Sequence, residues 1–202
     1  MEENKINITN VQKVFLYSVE GSEKIYKIKY DDLPLVPFFN NLISINKEDY
    51  SNPDNIFIIK NTLVPSDCYE NKNYLINTEE THDFLESYID IWSGKINDEK
   101  YIKEDIVQTG VPDQLIQEDD LNLIREWMDK KSSQYSEEEK EQFEKSRMWR
   151  KYYQISCFNP LLHTIHGFLG MEGLCSKICA FISTILWTCS FDELADAEND
   201  EL

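Results

Sequence analysis

VFLYSVEGSEKIYKIKY, residues 14 to 30, places two runs of β-branched and aromatic residues on either side of Glu20-Gly21-Ser22-Glu23. The composition predicts a β-hairpin with its turn at Gly21. In the second run Ile25, Tyr26, Lys27, Ile28 and Lys29 alternate apolar with charged, the period of a half-exposed strand. Two strands cannot form a stable domain alone, so the rest of the chain has to cover them.

Reading outward, LPLVPFFNNLISI (33–45) carries Pro37, which suits the first position of a short helix because its missing N–H costs nothing there. IFIIK (56–60) is a brief apolar run and predicts a third strand. NTEETHDFLESYIDIWSGK (77–95) offers Asn77 as N-cap with Glu80 as its capping-box partner. Phe84, Leu85, Tyr88, Ile89 and Trp92 follow at helical spacing, and Gly94 ends the helix. The sequence face Phe84, Tyr88 and Trp92 is expected to pack on the sheet. Residues 95–120 are acidic with weak periodicity, which predicts an irregular connector. Leu121, Ile124, Trp127 and Met128 mark a further helix, and Ser136 with Glu139 opens a charged, solvated one. Asn159-Pro160 reads as N-cap and first position of a helix at 160–169, another helix covers 171–188, and Ser190 with Glu193 starts a last short one. Hairpin, helix, strand, helix and then a series of helices make an α+β chain in which helices cover a small sheet.

The formal charge over 202 residues is −18. Such a surface repels phosphate backbones and anionic lipid heads, so nucleic-acid and membrane partners are not expected. With 41% hydrophobic and 12% aromatic residues the chain can build a core. Its start, MEENKINITN, has no apolar signal segment, and its five cysteines (Cys68, Cys157, Cys175, Cys179, Cys189) are an odd number. Both point to a reducing compartment, cytoplasmic or nuclear.

Chemistry-bearing motifs are sparse. His163 and His166 stand at i, i+3, and Cys175 and Cys179 at i, i+4, so with Cys157 they form a formal zinc-ligand set. Their spacing matches no common structural zinc site, and a helical cysteine is more often a small hydrophobe. Cys157 with His163 is a formal nucleophile pair, but no oxyanion loop stands beside it. There is no glycine-rich phosphate loop. No catalytic constellation, metal site or cofactor is expected, and a cysteine- or zinc-dependent enzyme stands as the distant alternative. FLGMEGLCSKICAFIS (168–183) is almost uncharged and too broken by Glu172 and Lys177 to read as a membrane span. Leu174, Ile178, Phe181 and Ile185 form one helical line, expected to be buried. Met171, Cys175, Ile182 and Leu186 form the adjoining line, expected to be partly exposed and rimmed by Glu172, Glu193 and Asp196.

LLHTIHGFLGMEGLCSKICAFISTIL (161–186) and SFDELADAEND (190–200) resemble the C-terminal part of the Skp1-like BTB/POZ family, in which one helix turns through a short link into a Gly-Leu-Leu helix and a further capped helix. The hairpin at 14–30 and the helix ending at Trp92 resemble the family's first half. The resemblance implies a BTB/POZ-like domain at 14–169 with an insertion at about 95–150, C-terminal helices at 170–197, a flexible start at 1–13 and an acidic tail at 198–202. It further implies a non-enzymatic adaptor linking a cullin to an F-box-type receptor in ubiquitin ligation. The F-box-like face would comprise Met171, Cys175, Ile182, Leu186 and Leu194, and the cullin-like face Gly167 and Phe168. The insertion is longer than the family's usual loop, and Gly167-Phe168 stands where the family has Asn-Tyr. The alternative is a BTB-type scaffold that forms a homodimer or enters a particle without a cullin.

Overall fold

A computed structural model describes residues 13–46, 50, 52–65, 73–95, 117–138, 140–141 and 154–187. Strands β1 (Val14–Val19) and β2 (Ile25–Lys29) form the expected antiparallel hairpin, with Tyr17 opposite Tyr26. Gly21 turns it at φ +82°, a conformation that disfavours any side chain. Strand β3 (Phe57–Ile59) lies on the other side of β1 and runs parallel to it, giving the order β2-β1-β3. Between β2 and β3 come a 3-10 helix (Tyr30–Leu35) and helix α1 (Pro37–Ile45), whose first residue is the proline.

A second hairpin, β4 (Thr62–Pro65) with β5 (Asn73–Ile76), was not expected from the sequence. Leu63 and Leu75 face each other across it and stand 68% and 40% exposed. On its other face Ile76 is buried and the Tyr74 ring lies 5.4 Å from that of His163.

Helix α2 (Glu79–Trp92) begins one residue later than Asn77 would have it. Thr78 is the N-cap, its hydroxyl oxygen accepting from the Thr81 N–H. Asn77 instead takes a left-handed φ of +57°, its N–H donating to Thr164 Oγ1 and its amide nitrogen to the Lys60 carbonyl. Asparagine tolerates that conformation better than most residues. The far end of α2 closes at Gly94, φ +74°, where the Gly94 N–H and the Ser93 hydroxyl both donate to the buried Asp32 carboxylate.

Phe84, Tyr88 and Trp92 are buried, and the ring contacts they make among the described residues are with one another, with Trp127 and with Lys177. Phe84 meets Trp127 edge-on at 5.4 Å, and Tyr88 and Trp92 lie under the Lys177 ammonium. Two polar residues of α2, His82 and Asp83, reach the strands. His82 contacts the stacked Tyr17–Tyr26 pair, and Asp83 takes the Tyr26 hydroxyl and Lys24.

Helix α3 (Glu118–Ser132) starts inside the stretch read as a connector, so that reading fails for Gln117–Asp120; residues 96–116 lie outside the described residues. Lys131 pairs with Glu80 and ties α3 to the start of α2. Lys140 N–H bonds to the Ser136 carbonyl, as a helix beginning at Ser136 requires. Asn159 is not an N-cap: helical residues 154–156 precede it, and Phe158 already has right-handed helical angles. Helix α4 (Asn159–Leu162) widens into a π-helix (His163–Phe168), in which the Leu169 N–H reaches back five residues to Thr164. Gly170, φ +70°, ends it, and helix α5 (Glu172–Trp187) follows. The chain is therefore α+β with small sheets, and its core joins β1 and β2 to α2, α3, the π-helix and α5. No helix among the described residues is long and apolar enough to cross a membrane.

The His82 imidazole has 0% exposure, its Nδ1 3.3 Å from the Tyr17 hydroxyl. Burial holds its pKa down to about 4, with Asp83 opposing weakly. A histidine kept neutral in the fold and free to protonate in the unfolded chain makes stability complete above pH 6.5 and declining from there towards pH 4. The loss expected at pH 4 is about 3 kcal/mol. Salt-bridged Glu80 and Asp83, whose pKa values are lowered from 4.5 and 3.8, withdraw their contributions only below those values. Urea melts of the wild type and His82→Gln between pH 7 and 5 isolate the histidine: the wild type should lose stability over that interval, whereas the variant should change little. Parallel curves would contradict this.

Candidate functional site

Helix α5 carries hardly any charge, and the fold divides it lengthwise. Leu174, Ile178 and Phe181 are buried as the spacing requires, with Phe181 edge-on to Phe158 at 6.0 Å, and Ile185 is half-buried. On the adjoining side Cys175 and Ile182 are half-buried, Cys179 is exposed and Leu186 is 40% exposed. Cys175, Cys179, Ile182 and Leu186 follow one another at spacings of four, three and four, which keeps them in one line along the helix. Cys179 was absent from the expected face although the same spacing includes it.

Met171 departs from expectation, being only 3% exposed. It precedes the first helical residue, and its N–H bonds to the Ile165 carbonyl at 2.8 Å, which draws it under the π-helix and into the core. Leu194, Glu193 and Asp196 lie outside the described residues. Gly167 is exposed with open space around it, while Phe168 is half-buried with its ring 4.6 Å from that of Phe38. The Phe38 N–H donates to the Leu169 carbonyl, so α1 closes the end of the π-helix and fixes this corner.

A charge cluster anchors the inner side of α5. Lys177 Nζ lies 2.9 Å from Asp120 Oδ2, with the carboxylate 1% exposed. The Trp92 indole N–H donates to Asp120 Oδ1 at 2.8 Å, and Lys177 sits 3.9 Å from the Trp92 ring centre. One residue from each of α2, α3 and α5 thus meets at a single buried ion pair. It fixes the rotation of α5 and therefore which line of the helix faces out. The sequence signal was Lys177 itself, the lone cation of a segment whose other charge is Glu172; once buried, that cation requires an acid.

Among the described residues, Cys157 is a buried thiol and Cys175 a half-buried one. The Cys157 thiol donates to the Gln154 carbonyl at 2.9 Å, and burial pushes its pKa up to about 12. The Cys175 thiol is raised to about 11 by burial and by neighbouring Cys179. Thiols held protonated are poor nucleophiles at neutral pH. Among the described residues no group of three His, Cys, Asp or Glu side chains is placed to hold a metal ion.

Beside the outward line a cleft of about 690 Å³ opens between the 3-10 helix and the start of α5. Tyr88, Met171 and Leu174 form its buried floor, Leu35 and Pro37 its walls, and Asp31 and Glu172 are exposed at its rim. The surface features of this region are thus an uncharged helix side and a cleft with an apolar floor and an acidic rim.

Comparison of the chain with models of known protein families, with curated proteins and with solved structures finds no match.

Proposed function

We propose that this protein is a non-enzymatic adaptor of the Skp1-like BTB/POZ kind, with the outward line of α5 as the seat for a helix of an F-box-type receptor and the Gly167–Phe168 corner turned to a cullin. The observation that carries the reading is the division of α5: Leu174, Ile178 and Phe181 belong to the core, while on the adjoining line Cys175 and Ile182 are half-buried and Cys179 and Leu186 are exposed. A helix-in-groove contact uses anchors at such spacings. Support also comes from the order of the elements, in which a hairpin, short helix, third strand and helix ending in Trp92 are followed by C-terminal helices, with the β4–β5 hairpin and α3 as additions. Raised thiol pKa values favour this reading over cysteine catalysis.

Ile182→Asp puts a carboxylate on the outward line. It should abolish co-elution with an F-box domain at a stability cost of about 1–3 kcal/mol, the range for losing a half-buried apolar side chain, with the fold retained. Size-exclusion chromatography of the wild type with a cullin N-terminal domain and an F-box domain provides the test. A wild type that binds neither, or an Ile182→Asp protein that binds both undiminished, would refute the adaptor assignment.

A further inference from the structure

We propose that the cleft between the 3-10 helix and the start of α5 is a docking socket for a lysine or arginine side chain presented, together with an apolar neighbour, by another protein. The cleft's volume of about 690 Å³ exceeds the needs of one side chain and lies within the range of about 300–1,000 Å³ that ligand pockets occupy. Its lining has two parts. Tyr88, Met171, Leu174, Leu35 and Pro37 give apolar surface, against which the methylene stem of a long basic residue can lie. Asp31 and Glu172 stand exposed at the opening, where the charged end of such a residue would emerge. Gly170 and Gly173 line the same opening and put no side chain across it.

Charge decides the class of occupant. The N-terminus of α5 contributes the equivalent of about half a positive charge, which taken alone would suit an anion. Two carboxylates outweigh it, and Glu172 is the first residue of that helix. Lys177, which lies over the ring of the floor residue Tyr88, is committed to Asp120. The net charge of −18 reinforces the preference for a cation and would steer one towards the protein. An apolar floor under an acidic rim complements a basic side chain and repels a phosphate or a carboxylate. The surface is distinct from the outward line of α5, so the proposal stands apart from the adaptor reading.

The test uses the whole chain, isotopically labelled, and two probes: acetyl-Leu-Arg-Leu-amide and the same peptide with citrulline, the uncharged analogue, in place of arginine. The arginine peptide should shift the amide resonances of Gly170, Gly173 and Leu174 in a saturable way. Affinity should fall roughly tenfold with citrulline, and by a similar factor in the doubly substituted Asp31→Asn, Glu172→Gln protein, as expected when two rim ion pairs are lost. Both positions are exposed, and unchanged thermal melting would show that the variant folds. Ile182→Asp should bind the arginine peptide as the wild type does, which separates this result from that of the F-box experiment. Equal affinity for the two peptides, equal affinity in the doubly substituted protein, or shifts spread over the acidic surface without saturation would each overturn the proposal.

Discussion

Asp120→Ala should destabilise the protein by about 3–5 kcal/mol, the cost of leaving one partner of a buried ion pair alone. The substitution strands the Lys177 ammonium, which is almost enclosed, and also removes the acceptor of the Trp92 indole N–H. Lys177→Met should cost a comparable amount, because it strands the Asp120 carboxylate, 1% exposed, with the Trp92 indole N–H as its remaining donor. Removing both charges in Asp120→Leu, Lys177→Met should recover much of the loss, since an apolar pair often replaces a buried ion pair at little net cost. A double-mutant cycle in urea gives the coupling directly. An Asp120→Ala protein within about 1 kcal/mol of the wild type would show that the pair does not hold the three helices together.

Phe181→Asp should abolish the folded state. The ring is 6% exposed, packed edge-on to Phe158, and belongs to the core side of α5. Losing the aromatic alone costs about 3–5 kcal/mol, and burying an unpaired carboxylate adds several more. The sum approaches the whole stability of a typical domain, about 5–15 kcal/mol. Far-ultraviolet circular dichroism and a urea melt at neutral pH should therefore show no cooperative transition. Ile182→Asp, one residue away and half-buried, should retain it. If both substitutions unfold the chain alike, α5 has no outward line and the docking face disappears with it.

How much of this was legible beforehand depended on whether burial leaves a periodic trace. The first hairpin did, through the alternation at 25–29, and so did α2 and the inner side of α5, where apolar residues recur at three and four. The β4–β5 hairpin left none, because Leu63 and Leu75 point outward while Tyr74 and Ile76 occupy the other face, so apolar residues do not alternate with polar ones there. Asp120 was hidden among acids, and only its distant partner Lys177 hinted at it. The cap of α2 moved by one residue because Asn77 and Thr78 are both good capping residues, and a tertiary contact from Asn77 to Thr164 chose between them. Of the candidate docking residues, Cys175, Ile182 and Leu186 were readable from spacing. The burial of Met171 depended on an extra-wide helical turn that spacing does not encode.

The outward-facing Leu63–Leu75 pair has a colloidal consequence. A two-stranded ribbon leaves backbone hydrogen-bonding groups at its rims, and bare leucines beside such a rim invite sticking between molecules. In dilute buffer a net charge of −18 holds the molecules apart. That repulsion has a reach of about 30 Å at 0.01 M salt and about 3 Å at 1 M. Added salt should thus strip away a barrier that neither the core nor the hairpin itself supplies, so that the protein's solubility is governed by ionic strength through its surface and not by the stability of its fold.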